Sequence, residues 1–195
     1  MVNGPTPAEL VLALRDPRVA VVGTTGSGKT MLARALSRRL AIPHVELDSL
    51  YWDEAWTPAP TEEFRRRVGQ AVSAKRWVMD GNYGVVRDIV WGRANAMVWL
   101  DYPLPVILIR LLKRTVRRAL THEELWNGNR ERFDTAFLSR DSLFLWALKT
   151  YRRRRREYPV LFNEPQYNHL LVVRLCSPKA TKEWVRGLAI SSYPS

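Results

Sequence analysis

Short apolar runs alternate with longer stretches in which apolar residues recur every three or four positions. Residues 19–22 form a β-branched run that stops at Gly23, the pattern of a buried strand. From 31 to 40, Leu32, Ala35, Leu36 and Leu40 share one face, which predicts a helix ended by Pro43. Residues 45–47, 77–79, 96–100 and 170–175 predict four further short strands. Helices are expected between them. One begins with Thr61 as N-cap and Glu62 and Glu63 in its first turn, and carries Phe64, Val68, Ala71 and Val72 on one side. A second runs over about 103–120, its Pro103 and Pro105 suiting a first turn. A third spans 142–158 with Leu143, Trp146, Ala147, Thr150 and Tyr151 along one side. A last one opens at Ser177-Pro178 and carries Trp184, Val185 and Leu188. Asn127-Gly128-Asn129 signals a turn.

Strands that alternate with helices predict one α/β domain over 1–195, built on a parallel sheet covered on both faces. Ligands of such sheets bind beyond the carboxyl ends of the strands. On this reading Gly23, Asp48, Asp80 and Asp101 all stand at strand ends.

Gly23-Thr24-Thr25-Gly26-Ser27-Gly28-Lys29-Thr30 matches G-x-x-x-x-G-K-[ST] without a mismatch, between an apolar strand and an amphipathic helix. Glycines let the backbone curl so that successive N–H groups point at phosphate oxygens, and the helix adds its positive end. The pattern predicts a phosphate loop for ATP or GTP, with Lys29 on the β and γ phosphates and the Thr30 hydroxyl on Mg²⁺. Asp80 is placed to hold Mg²⁺ through water, or to cap the turn at Gly81-Asn82. Asp48 is placed to take the proton of a hydroxyl acceptor, or to serve as a turn residue; an acceptor that is already a phosphate needs no base. Asp101, before Tyr102-Pro103, reads as a cap for the long helix.

Charge changes the picture less than the motif does. The formal net charge is +12. It reflects either a polyanionic partner or arginines solvated on helix faces. Arg110, Arg114 and Arg118 or Arg117 share a helix face, where arginines can neutralise a phosphoryl group in transfer; Arg114 and Arg118 are the catalytic candidates. The run 152–156 covers every direction of a helix and reads as a solvated end, of which one member can reach a nucleotide. Nucleic acid is a possible but not a favoured partner. Eight Trp call for a dense core or wide ligand walls. Cys176, the single cysteine, excludes an internal disulfide and reads as a buried thiol at a strand end. His44, His122 and His169 show no metal-ligand spacing. The apolar region 96–112 is interrupted by Asp101, Pro103, Pro105 and Arg110, so no membrane span is expected. With no signal peptide evident, a cytoplasmic protein is the expectation.

Taken together, the P-loop, Leu47-Asp48-Ser49-Leu50-Tyr51-Trp52 with Trp56, and Trp77-Val78-Met79-Asp80-Gly81-Asn82-Tyr83 resemble the adenylate-kinase-like P-loop kinases. So do Trp99-Leu100-Asp101-Tyr102-Pro103, the 110–118 helix and Ser177-Pro178-Lys179-Ala180. More closely, these segments resemble the bacterial DNA topology modulation, or FlaR-like, proteins. The resemblance implies a P-loop three-layer sandwich with a five-stranded parallel sheet in the order 2-3-1-4-5. It implies a mobile acceptor-binding segment at about 48–75, a lid at about 115–140, and adenine packed between a lid arginine and the loop at 177–180. The implied activity is Mg²⁺-dependent phosphotransfer from ATP to a small acceptor. The alternative is a nucleotide-dependent, DNA-associated regulator. Nucleoside monophosphate kinases place an arginine early after the second strand, whereas 48–60 contains no Arg or Lys here. Its acidic and aromatic residues suit a hydroxyl acceptor, as in shikimate-kinase-like enzymes, better than a second nucleotide phosphate.

Overall fold

The computed structural model describes residues 2–6, 15–121, 126–129 and 143–188. The strands are β1 (Val2–Asn3), β2 (Arg18–Gly23), β3 (His44–Glu46), β4 (Trp77–Asp80), β5 (Ala96–Leu100) and β6 (Leu171–Leu175). The α-helices are α1 (Lys29–Leu40), α2 (Leu47–Tyr51), α3 (Thr61–Ala71), α4 (Arg87–Arg93), α5 (Leu104–Thr121), α6 (Leu143–Phe162) and α7 (Pro178–Gly187).

The strands make one sheet in the order β1-β6-β5-β2-β4-β3. β2 to β6 are parallel to one another, and from β2 onward they follow the expected order 2-3-1-4-5. The addition is β1, a two-residue edge strand antiparallel to β6, with Val2 opposite Leu175. β2 is the central strand, and its register sets Val21 between Asp80 and Val98. Its side chains alternate between faces. Val19 and Val21 pack with Leu32, Leu36, Ile107 and Trp184 of α1, α5 and α7. Ala20 and Val22 pack with Phe64, Val68, Val90, Trp91 and Tyr158 of α3, α4 and α6. A strand buried on both faces must be apolar throughout, which is why 19–22 shows no polar alternation.

Several boundaries differ from the sequence reading. β3 starts and stops one residue early, because its ladder ends where Glu46 meets Asp80. The Ser49 hydroxyl donates to Glu46 O at 2.7 Å and the chain turns at once into α2. Asp48 therefore sits in a first helical turn rather than at a strand end. Thr61 is the first residue of α3, not its cap; that position is Pro60. Ser177 does cap α7, accepting from Ala180 N at 3.1 Å. α6 runs through Pro159 to Phe162, beyond the expected stop at 158. A proline inside a helix costs about 3 kcal/mol. Here Tyr158 and Phe162 both stack on Trp91 and Trp99, so burial beyond the proline outweighs that cost. Cys176 is half-buried rather than buried. Of the expected lid, residues 122–125 and 130–140 lie outside the described residues. Among the described residues, no helix is long and apolar enough to cross a membrane.

Candidate active site

The phosphate loop joins the C-terminal end of β2 to the N-terminal end of α1. Gly28 occupies the N-cap of α1 at φ 96°. Gly26 lies at φ 81°, and a Cβ there would fall 2.9 Å from Ile107 O. Only glycine meets both demands without strain. Ser27 N donates to Thr24 O at 3.0 Å and closes the turn. Thr24 and Ser27 are buried and Thr25 is half-buried. The Ser27 hydroxyl has no hydrogen-bond partner among the described residues. From outside, Arg110 of α5 donates to Ser27 O at 3.1 Å, and its guanidinium stands 5.5 Å from the Tyr102 ring centroid. These are features of an anion cradle: free helix N–H groups, an orphaned hydroxyl and a cation braced on the loop.

Lys29 and Thr30 begin α1 and meet the end of β4. The Thr30 hydroxyl donates to Asp80 Oδ2 at 2.7 Å. His44 Nε2 stands 3.0 Å from Asp80 Oδ1. The Lys29 ammonium is pushed down to about 8, first by burial and then by the nearby Arg154 charge; Asp80 and Asp48 act the other way, and Arg114 adds to the depression. Burial pushes the Asp48 carboxyl up, against a hydrogen bond from Tyr83 and the Lys29 charge. The Tyr83 hydroxyl donates to Asp48 Oδ1 at 2.6 Å. Burial and the Asp48 charge raise the tyrosine in turn. Lys29, Thr30, Asp48 and Asp80, singled out separately in the sequence, thus share one site. Two protein oxygens, Thr30 Oγ1 and Asp80, suit a cation that takes most of its ligands from phosphate and water, as Mg²⁺ does.

Two residues central to this geometry have only a weak sequence signal. Asn82, inside the Asp-Gly-Asn-Tyr segment, accepts from Gly23 N at 3.1 Å and donates to Gly23 O at 2.5 Å. Its Oδ1 also accepts from the Tyr158 hydroxyl at 3.0 Å. The first peptide of the phosphate loop is thereby clasped from the neighbouring strand end and from α6. Arg154 is the other. It is buried, and its Nη1 lies 3.3 Å from Gly23 O. The run 152–156 is therefore not merely a solvated helix end: Arg154 faces the phosphate loop, while Arg155 reaches Asp101 at 3.0 Å and Arg153 lies 3.7 Å from Glu157. Asp101 is not a helix cap. It is buried and held by Arg155 and Arg174. On α5, Arg114 is half-buried and acts on Lys29; Arg118, one turn on, is half-buried, and Arg117 is exposed. The expected adenine region at 177–180 opens α7, where Thr181 pairs with the Tyr102 hydroxyl at 2.5 Å.

Beside Tyr83 and Asp48 stands a wall of rings. Tyr51 touches Trp52, Phe64 and Tyr83, and Trp56 stands between Trp52 and Trp126. The Trp126–Gly128 turn is fastened to this wall. Asn127 Nδ2 donates to Trp52 O at 2.5 Å and Asn129 Nδ2 to Asp53 O at 2.9 Å, and Asn129 Oδ1 accepts from Trp56 N at 2.7 Å. Of the acidic residues in 48–60, Asp53 is paired with an arginine from another element, and Glu46 just before that segment is paired as well. Arg67 of α3 meets Asp53 at 2.7 Å, and Arg34 of α1 meets Glu46 at 2.7 Å. Trp126 Nε1 also donates to Glu46 at 3.0 Å.

No family model matches the chain. It is 29% identical over 150 residues to a shikimate kinase of Synechococcus elongatus, a match that covers 66% of this chain and 79% of that one. It is 30% identical over 129 residues to a shikimate kinase of Microcystis aeruginosa, covering 58% of this chain and 67% of that one. Among solved structures, a shikimate kinase of Bacteroides thetaiotaomicron superimposes with a TM-score of 0.53 at 17% identity, over 88% of this chain and 96% of that one. Sequence and architecture agree: this chain belongs to the P-loop kinases of the shikimate-kinase type, with the adenylate-kinase-like fold.

Proposed function

We propose that the chain transfers the γ-phosphoryl group of ATP to a hydroxyl group of a small acceptor, with Asp48 as the base. The observation that carries this reading is one cluster: the half-buried Lys29, the Thr30–Asp80 pair and Asp48 act on one another at the mouth of the phosphate loop. Phosphoryl transfer asks a protein mainly for position and charge. Residues 23–30 cradle the triphosphate, and Lys29 holds its β and γ phosphates. Thr30 and Asp80 hold Mg²⁺, which offsets charge on the phosphates when bound. Arg154 and Arg114, with Arg118 further out, neutralise the group in transfer. Asp48 takes the proton of the attacking hydroxyl. Its raised basicity suits that role, and Tyr83 fixes one carboxylate oxygen so that the other faces the acceptor.

The acceptor we infer is a hydroxylated ring or a compact hydroxy acid. Rings from Tyr51, Trp52, Trp56 and Tyr83 offer apolar faces for its C–H surface. Asp53 and Glu46 are already paired, so an anionic substituent is tolerated. The relatives named for shikimate, a cyclic hydroxy acid, agree in chemistry. ATP is the donor by the same likeness, with GTP as the competitor to test. The finer resemblance to FlaR-like proteins rests on the Asp48-to-Trp52 and Asp80-to-Tyr83 segments.

The test is acceptor-stimulated ADP release over a panel of cyclic polyols and hydroxy acids led by shikimate. At least one member is expected to raise ADP release well above the ATP-only rate. Saturation with ATP and no stimulation across the panel would count against the reading.

A further inference from the structure

His44 opens β3, and its ring lies on the sheet face that α1 covers. Beyond Glu46 and Asp80, that face is apolar: Val19, Val21, Val78 and Val98 pack there with Leu32 and Leu36 of α1. An apolar residue would satisfy packing at this position as well as an imidazole does. The polar tip of His44 has one partner among the described residues, Asp80, with Nε2 3.0 Å from Oδ1. Both groups are largely enclosed, with side-chain exposures of 12% and 4%. An ionised carboxylate only accepts hydrogen bonds, so the imidazole must donate through Nε2–H. The other Asp80 oxygen accepts from the Thr30 hydroxyl at 2.7 Å. Asp80 is therefore held at both oxygens, by a ring from β3 and by a hydroxyl from α1.

We propose that His44 is a positioning residue for the magnesium site, acting through Asp80 on Thr30. The inference rests on the kinase reading and adds to it a residue with no metal-ligand spacing in the sequence. The logic is geometric. A hydroxyl that donates to Asp80 turns its lone pairs toward the phosphate loop, where a cation on the nucleotide would sit. The orientation of Thr30 is only as fixed as the carboxylate that receives its proton. His44 removes the rotation of that carboxylate about its own axis. Without the ring, Asp80 can turn away from Thr30 or toward the Lys29 ammonium, whose charge it already feels. Groups that orient metal ligands in this way alter metal affinity by roughly 10- to 100-fold when removed.

The experiment is calorimetric titration of ATP, with and without Mg²⁺, into the wild type, His44→Phe and His44→Gln. The wild type is expected to bind ATP more tightly with Mg²⁺ than without. His44→Phe should lose roughly 10-fold of that Mg²⁺-dependent gain while its Mg²⁺-free affinity stays unchanged. His44→Gln keeps an N–H donor at the place of Nε2 and should recover most of the gain. Thermal unfolding of each variant separates this from a fold defect. If His44→Phe does not fold, His44→Asn, whose amide is too short to reach Asp80, carries the same expectation. A His44→Phe protein with the full Mg²⁺-dependent gain would overturn the assignment, as would equal losses in the Phe and Gln variants. A wild type whose ATP affinity ignores Mg²⁺ would overturn the kinase reading first, and this assignment with it.

Discussion

The two sides of this site are built in different ways. The nucleotide side is made by backbone: eight consecutive residues, glycines at left-handed φ, and the open end of α1. The proposed acceptor side is made by side chains from five places, α2, the 54–56 turn, α3, the 81–83 loop and the 126–129 turn, joined by ring contacts and single hydrogen bonds. A backbone cradle can serve any nucleoside triphosphate, since every one presents the same phosphates. A wall of side chains can be refitted to a new acceptor by a few substitutions. On the function proposed above, the difference teaches where to expect constancy and where specificity: the loop would fix the donor chemistry, and the aromatic wall would choose what receives the phosphate.

This contrast sets the order of expected effects. Lys29→Ala should act most strongly, lowering kcat/KM by roughly 10²–10³-fold, the loss typical of removing one preorganised contact to developing charge. Steady-state kinetics reads it. The same residue gives a pH signature in stability. Its ammonium has a folded pKa of about 8, below its ordinary 10.5, so the folded state binds that proton more weakly than the unfolded one. Wild-type stability from this group is lowest below pH 8 and rises as pH climbs from 8 to 10.5. Lys29→Met should therefore unfold at higher temperature than wild type at pH 7, and the gap should close on the alkaline side.

Asn82→Ala comes next. It removes both hydrogen bonds that clasp Gly23 and the acceptor of the Tyr158 hydroxyl. A loss of about 1–3 kcal/mol in denaturant unfolding is expected, with weaker ATP binding. Asn129→Ala should be the mildest. It frees the 126–129 turn from Trp56 and Asp53 and should cost about 0.5–1.5 kcal/mol, raising the acceptor KM while leaving ATP affinity unchanged. An equal effect of Asn129→Ala on both substrates would erase the distinction between the two sides.

The same contrast explains what could be read from the sequence. The phosphate loop was legible because its chemistry is local, in consecutive residues with a fixed pattern. The parallel sheet followed from the alternation of apolar runs and helices, and its strand order from the family resemblance. Asp80 and Asp48 were legible as carboxylates beside strand ends, although Asp48 proved to lie in the first turn of α2. The rest depended on contacts between distant residues. Arg154 sits in a run of five arginines, and nothing in that run marks which member turns inward; its direction is set by the packing of Tyr158 and Phe162 on Trp91 and Trp99. Asp101 looked like a cap because its partners, Arg155 and Arg174, are more than fifty residues away. The absence of Arg and Lys from 48–60 read as an acidic segment, because no local pattern announces that Arg67 would arrive from a neighbouring helix to pair with Asp53.

The central claim is that Asp48 serves chemistry on an acceptor hydroxyl and not the binding of nucleotide. Asp48→Asn tests it most directly, with phosphorylated product and ATP affinity measured side by side across pH. Asparagine keeps the shape and can still accept from Tyr83, but it cannot take a proton. The account predicts unchanged ATP affinity and a product rate lower by roughly 10²–10⁴-fold. It further predicts an acid limb in the wild-type rate, above the ordinary carboxylate range, that is missing from the variant's residual rate. Product formed by Asp48→Asn at the wild-type rate, with the same pH profile, would contradict it.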